Sequence, residues 1–344
     1  MTAMENPKKR QKLDYETKTI EDLPVEIILK IFGFVNIRDL FQCLAVNKKI
    51  REIANDQSLW NKMHIDGNNF EADLPAELLS QILAKGCQYL SLFECQIVKP
   101  ERTKFSPNLQ LKYLCIDRSM TNYAFYENDV DASSFQILPD FANSCHNLEK
   151  LSIKRSDQLF FDPEITQNEF KFFKCIVQNS DTLKILNLGE TRLSLANVKL
   201  IFSLCQDLIE LNIATGWETT STQLCTESVD FICNNLTTTI EKLDIAGQPN
   251  FGDDQIKTLI KRCNRITDLT FVGTNVTKKS MNTITETLSE RLVKLRPAFG
   301  LNFKNKLKHV KIAEPYPDID LKDEEAGFVP NGFWEIKAKL RTYN

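Results

Sequence analysis

Two hydrophobic rhythms divide the chain. In the first, Ile27/Ile28, Ile31/Phe32 and Val35 recur at three- and four-residue spacing, which places them on one face of a helix. Leu23-Pro24 is expected to open that helix, because proline has its φ preset for a first turn and lacks an N–H that would be unpaired there. Asn36 and the Arg38-Asp39 pair mark a break, after which Leu40, Phe41, Leu44 and Val46 form a second apolar stripe and Ile50, Ile53 and Ala54 a third. Asp56 is expected to cap the turn that carries Leu59 and Trp60. A unit of some forty residues has little interior. So many large apolar side chains therefore imply either docking on the next domain or an exposed patch that receives a partner.

The second rhythm begins near residue 87. The pattern apolar-x-x-Leu-x-apolar returns as Cys87–Leu90–Leu92, Leu111–Leu114–Ile116, Leu148–Leu151–Ile153 and Leu183–Leu186–Leu188. It continues as Leu208–Leu211–Ile213, Ile240–Leu243–Ile245, Ile266–Leu269–Phe271 and Leu292–Leu295. A core of this form with a period of about 20–29 residues is the leucine-rich repeat pattern, one strand and one helix per turn of a solenoid. Helical stretches such as Asn197–Gln206 and Asp254–Arg262 fill the intervals. Each interval ends in a small polar or thiol residue: Cys145, Ser180, Cys205, Thr237, Cys263 or Ser289. The predicted fold is an α/β solenoid, a horseshoe with parallel strands on its concave side, preceded by a three-helix unit and followed by a tail.

The expected divisions are a disordered basic N-terminus (1–18), the helical unit (19–66), a linker helix (67–86), the repeats (87–312), and an acidic link with C-terminal tail (313–344). The array's end is ambiguous, because Leu307–Val310–Ile312 repeats the pattern only 15 residues after Leu292, so one of the two is expected to be a strand and the other a helix or cap. Two intervals are overlong, and the first of them carries the aromatic, acidic insertion 121–135. Such lengthened loops on one face of a solenoid either bind partners or are neutral.

Composition narrows the function. With 344 residues, 42% apolar and 26% charged, the chain is long enough for more than one unit, and its net charge of −3 carries no whole-chain bias toward nucleic acid or membrane. No run of about eighteen apolar residues predicts a membrane span, and no secretory leader is expected. The ten cysteines are scattered without a C-x-x-C pair and there are three histidines, so neither a metal site nor a cofactor is expected. The thiols read as small buried apolar residues in a reducing compartment. No nucleophile elbow, phosphate loop or zinc-protease motif is present, and no catalytic residue is assigned. PKKRQK at 7–12 is either a nuclear address, giving nuclear and cytoplasmic localisation, or a solvated tail.

The x positions of the strands point into the expected concavity. Candidate partner-binding residues there are Lys150, Lys154, Asn187, Asn212, Lys242, Asp244 and Asp268, with Trp217 beside the Leu208 strand and Trp334 in the tail. Their mixed signs argue against a nucleic-acid track and for a protein surface.

The first unit resembles a known family. L-P-x-E-I at 23–27, I-F at 31–32, D-L at 39–40, V-N-K-K at 46–49 and L-W at 59–60 are similar to the F-box, with Ile50 where that family often has Trp. The cysteine phase resembles the repeat subclass that often accompanies F-boxes. LIELNIATGWETT, TTTIEKLDIAG and the closing W-x-I-K-x-x-L resemble the S-phase kinase-associated branch of the F-box and leucine-rich-repeat family. The resemblance implies a non-catalytic substrate receptor. Its adaptor-binding residues would be Leu23, Pro24, Glu26, Ile27, Ile28, Ile31, Phe32, Leu40, Val46, Leu59 and Trp60. Through them it would hold a Skp adaptor, and through that adaptor the cullin and RING subunits. The repeats and tail would hold a phosphorylated cell-cycle regulator, with help in that family from a small cyclin-kinase accessory subunit. The competing reading is a repeat scaffold that serves no ligase.

Overall fold

The computed structural model describes residues 19–67, 74–98, 105–117, 120–121, 137–154, 172–216, 222–298, 300–303 and 306–313. The basic N-terminus, the insertion within 121–135 after Thr121, Trp217 and the link and tail with Trp334 lie outside them. The chain divides into two compact units at Asn61/Lys62.

The first unit holds a 3-10 turn at Ile20–Asp22 followed by α1 (Val25–Phe32), α2 (Ile37–Val46), α3 (Lys48–Ala54) and α4 (Gln57–Trp60). Three side-chain caps set its helix starts. Asn36 accepts from the Asp39 N–H, Asn47 from the Ile50 N–H and Asp56 from the Ser58 N–H, each at 2.9 Å. These caps satisfy backbone donors that a helix start leaves unpaired. Pro24 precedes α1 as its cap, with ψ 145°, instead of forming its first turn. Ile28, Phe32, Ile37, Leu40, Ile50, Ile53, Ala54 and Trp60 are buried, so Ile50 keeps its site apolar.

The second unit is built on β1 (Lys62–Asp66), β2 (Leu74–Pro75), α5 (Ala76–Ala84), β3 (Tyr89–Phe93), β4 (Gln96–Val98), β5 (Tyr113–Asp117) and β6 (Met120–Thr121). There follow α6 (Ile137–Ser144), β7 (Lys150–Ser152), α7 (Phe173–Gln178), β8 (Ile185–Asn187), α8 (Leu195–Leu204), β9 (Glu210–Asn212), α9 (Thr226–Asn235) and β10 (Lys242–Asp244). The described part closes with α10 (Asp253–Arg262), β11 (Asp268–Thr270), α11 (Met281–Leu288), β12 (Lys294–Arg296) and β13 (Lys311–Ile312).

Ten strands form one sheet in the order β1-β3-β5-β7-β8-β9-β10-β11-β12-β13, and β2-β4-β6 form a second sheet of three. Every pairing is parallel and joins neighbours along the chain. This is the leucine-rich-repeat solenoid. Its core is the repeated inward apolar set, with Leu90, Leu114, Leu151, Leu186, Leu211, Leu243, Leu269 and Leu295 stacked and at most 2% exposed. Shared burial between successive turns supplies what one strand-helix unit lacks by itself.

Three expectations change. Lys62–Asp66, assigned from its apolar pattern to the helical unit, is the first strand of the ten, paired with Tyr89–Phe93. Both segments at the end of the array are strands, because β13 pairs with β12 despite the short interval. Cys87, Cys95, Cys145, Cys175, Cys205, Cys233 and Cys263 are buried as expected, whereas Cys43 and Cys115 are half-buried and Cys225, at the start of α9, is exposed.

Candidate functional site

On the helical unit, the candidate adaptor residues separate by exposure. Ile28 and Trp60 are fully buried, and Phe32 and Leu40 nearly so; these four hold the unit together and present no surface. Leu59 is half-buried, while Leu23, Pro24, Glu26, Ile27, Ile31 and Val46 face solvent. Ile20, Val25 and Phe34, which the motif reading missed, are exposed with them; Phe34 is 93% exposed. Seven of the eleven exposed large apolar residues among the described residues fall between Ile20 and Val46. A stretch this short holding most of the exposed apolar side chains is the mark of an interaction surface. The signal for Phe34 lay in its place between Gly33 and Asn36, past the last turn of α1, where its ring has no helix to pack on.

The motif's N-terminal turn is tied into the unit. The Glu21 carboxylate accepts from Asn47 Nδ2 at 2.6 Å, and the Glu21 carbonyl accepts from the Lys49 ammonium. The V-N-K-K segment thus anchors the chain just ahead of Leu23-Pro24.

On the solenoid, the strand residues that alternate with the core leucines line up across the sheet. The strand register gives one row as Lys62, Tyr89, Tyr113, Lys150, Ile185, Glu210, Lys242, Asp268, Lys294 and Lys311. Two residues further along each strand, a second row runs through Ser152, Asn187, Asn212, Asp244, Thr270 and Arg296.

Much of the second row is occupied with the fold itself. Asn187 accepts from the Gly189 N–H at 3.0 Å, Asn212 from the Ala214 N–H at 2.8 Å and Asp244 from the Ala246 N–H at 3.0 Å. Each side chain closes the turn after its strand, and Asn187 and Asn212 are buried. These three candidates therefore position the loops and leave little for a partner. Lys150 is also buried. Lys154 lies 3.9 Å from Glu190, and Lys242 is 2.5 Å from Glu210. Burial pushes the Asp244 carboxyl above the usual carboxylate range against the pull of the Ala246 N–H, Lys154, Arg296 and Lys294. Asp268 is raised for the same reason, opposed by Lys242 and Lys294.

The row also holds residues that the sequence reading passed over. Tyr89 and Tyr113 meet edge to face with centroids 4.5 Å apart, and the Lys62 ammonium lies 5.0 Å from the Tyr89 ring. Lys311 joins the row only because β13 is a strand.

Comparison with known proteins bears on the first unit. Residues 20–66 match the F-box-like family. Among solved structures the chain is similar to the internalin inlF of Listeria monocytogenes, at 11% identity and a TM-score of 0.30, over 87% of this chain and 100% of that one. The chain thus carries an F-box-like domain at its N-terminus, followed by a leucine-rich-repeat solenoid.

Proposed function

We propose that this protein is a substrate receptor of an SCF-type ubiquitin ligase, with the F-box-like unit holding a Skp adaptor and the strand face of the solenoid holding the substrate. The observation that carries the reading is coincidence: the residues that match the F-box-like family are those where exposed apolar side chains concentrate. Burying Ile27, Ile31, Phe34 and Val46 against an adaptor would remove apolar area from water at roughly 25 cal/mol per Å². The adaptor links the chain to the cullin and RING subunits, and the receptor acts by raising the substrate's effective concentration near a ubiquitin-loaded enzyme. No side chain of the receptor has to form or break a bond.

The finer reading rests on resemblance. The repeats over 208–271 resemble the S-phase kinase-associated F-box protein, which supports a phosphorylated cell-cycle regulator, such as a cyclin-dependent kinase inhibitor, as the substrate. The same resemblance supports a small accessory subunit that reads the phosphate, and action in nucleus and cytoplasm. Substrate ubiquitination and degradation follow from the receptor role.

The test is co-expression with a Skp adaptor followed by size-exclusion chromatography. Wild-type chain should co-elute. A variant with Ile27→Ala, Ile31→Ala and Phe34→Ala should elute alone while keeping its helical circular dichroism. Folded wild-type chain that elutes without adaptor would leave the solenoid as a scaffold outside any ligase.

A further inference from the structure

Charge is distributed unevenly along the strand face. Over most of it each lysine has a carboxylate close by: Lys112 with Glu149 at 2.9 Å, Lys154 with Glu190 at 3.9 Å, Lys184 with Asp207 at 3.0 Å and Lys242 with Glu210 at 2.5 Å. The last two strands of the sheet break this rule. Lys294 and Lys311 are direct register partners on β12 and β13, and Arg296 follows Lys294 on the same face of β12. Among the described residues, neither Lys294 nor Lys311 has a carboxylate within 4.0 Å. Asp268, across from Lys294 in the register, and Asp244 are the nearby acids, and they face Lys242, Lys154 and Arg296 as well. Three cations on two adjacent strands thus outnumber the carboxylates available to them. Val293, the residue before Lys294, is 60% exposed beside this group.

The cost of holding these cations together is visible in Lys294. Partial burial, Arg296 and Lys311 pull its ammonium below the usual lysine value against the opposing effect of Asp268 and Asp244. An anionic group placed over Lys294, Arg296 and Lys311 would relieve that repulsion, and arginine adds a planar fork suited to a carboxylate or a phosphoryl group. A nucleic acid fits less well, because Glu210, Asp244 and Asp268 lie in the path of a continuous phosphate backbone along the same face.

We propose that the β12–β13 end of the strand face, through Lys294, Arg296 and Lys311, receives an acidic or phosphorylated segment of a partner protein. This rests on the receptor reading only for the identity of that partner as the substrate; the site itself is independent of the helical unit.

The test is fluorescence anisotropy of the full-length chain with a fluorescein-labelled peptide of alternating Glu and Ser. Counterparts are the same peptide with phosphoserine, a peptide of alternating Lys and Ser, and a single-stranded oligonucleotide of equal charge. The acidic and phosphorylated peptides should bind, and Lys294→Glu/Arg296→Glu/Lys311→Glu should weaken them roughly tenfold to a hundredfold. Charge reversal of Lys112, Lys184 and Lys199, which changes net charge equally, should leave affinity within about twofold. Equal loss in both triple variants would show nonspecific attraction and overturn the proposal. Preference for the oligonucleotide would overturn it in favour of nucleic acid. The chain's own acidic stretch after Ala313 is the other possible occupant. If peptide binds only when Asp318, Asp320, Asp323, Glu324 and Glu325 are changed to Asn or Gln, that stretch fills the face in cis and the proposal fails. Because the adaptor is absent from every arm, none of these outcomes bears on adaptor docking.

Discussion

Trp60 meets Phe41 edge to face, ring centroids 4.9 Å apart at 64°, while its indole N–H donates to the Ala54 carbonyl at 2.7 Å. The tryptophan is fully buried and joins α4 to both α2 and α3. Its role is cohesion of the helical unit. Trp60→Ala should cost about 3–5 kcal/mol, the usual range for truncating a large buried aromatic. Phe34→Ala removes an exposed ring and should change stability by less than about 0.5 kcal/mol. Both variants should lose adaptor co-elution, but only Trp60→Ala should lower the thermal midpoint. Equal midpoints for the two would contradict the assignment of Trp60 to the core and Phe34 to the surface.

The thiols provide a second check, since all ten are free. Burial pushes the Cys87, Cys145, Cys205 and Cys233 thiols up to about 12 and Cys263 to about 11, and it raises Cys175 well above the usual value. A thiol must ionise to attack, so these side chains should be inert at neutral pH. Titration of native protein with a disulfide reagent at pH 7.5 should show rapid reaction of Cys225, slower reaction of Cys43 and Cys115, and seven thiols released only in denaturant. Fast labelling of Cys145 or Cys205, located by peptide mapping, would refute the packing described for the helix ends.

The repeats were legible because the inward leucines are dictated by burial, and burial leaves a strict spacing in sequence. The cysteine phase was legible for the same reason. The outward residues carry no such constraint. Asn187 and Lys242 occupy equally polar positions in the pattern, yet one is buried closing a turn and the other forms an ion pair. Lys62–Asp66 escaped notice because β1 lacks the preceding leucine of the repeat, and its apolar Met63 and Ile65 continued the helical unit's pattern. The F-box motif likewise could not separate Ile27 from Ile28. Adjacent residues on a helix point about a third of a turn apart, and only the fold says which direction is inward.

Turn geometry after the strands leads to another prediction. Two residues past the last inward apolar side chain, Glu190, Gly247 and Gly273 all have positive φ, at 58°, 72° and 71°. Glycine adopts this region without penalty, and a side chain does not. A Cβ on Gly247 would also stand 2.2 Å from the Thr215 carbonyl oxygen. Gly247→Ala should destabilise the protein by roughly 2–4 kcal/mol, combining backbone strain with the clash. Glu190→Gly should relieve strain and lose only a long ion pair to Lys154, so it should stabilise by up to about 1 kcal/mol. Chemical denaturation of both variants gives the signs directly. Stabilisation by Gly247→Ala would be incompatible with this backbone.

Acidification should strengthen capture of an acidic segment at the β12–β13 end. Asp244 and Asp268 have carboxyls raised by burial, so on lowering the pH from 7.5 they take up protons before ordinary carboxylates do. Each proton removes one negative charge facing Lys294 and leaves the cations unchanged. Glu210 is the other acid facing Asp268, while Lys154, Lys242 and Arg296 stay charged throughout. A ligand that prefers the protonated face must bind more tightly as pH falls, as long as its own carboxylates remain ionised. Anisotropy with the Glu-Ser peptide should therefore show affinity rising between pH 7.5 and about 5.5 and falling again as the peptide itself protonates near its ordinary value of about 4.3. Asp244→Asn/Asp268→Asn should bind more tightly at pH 7.5 and lose the rise. If that double variant keeps the wild-type pH profile, the two carboxylates do not govern the potential at Lys294, and the dependence belongs to the peptide alone.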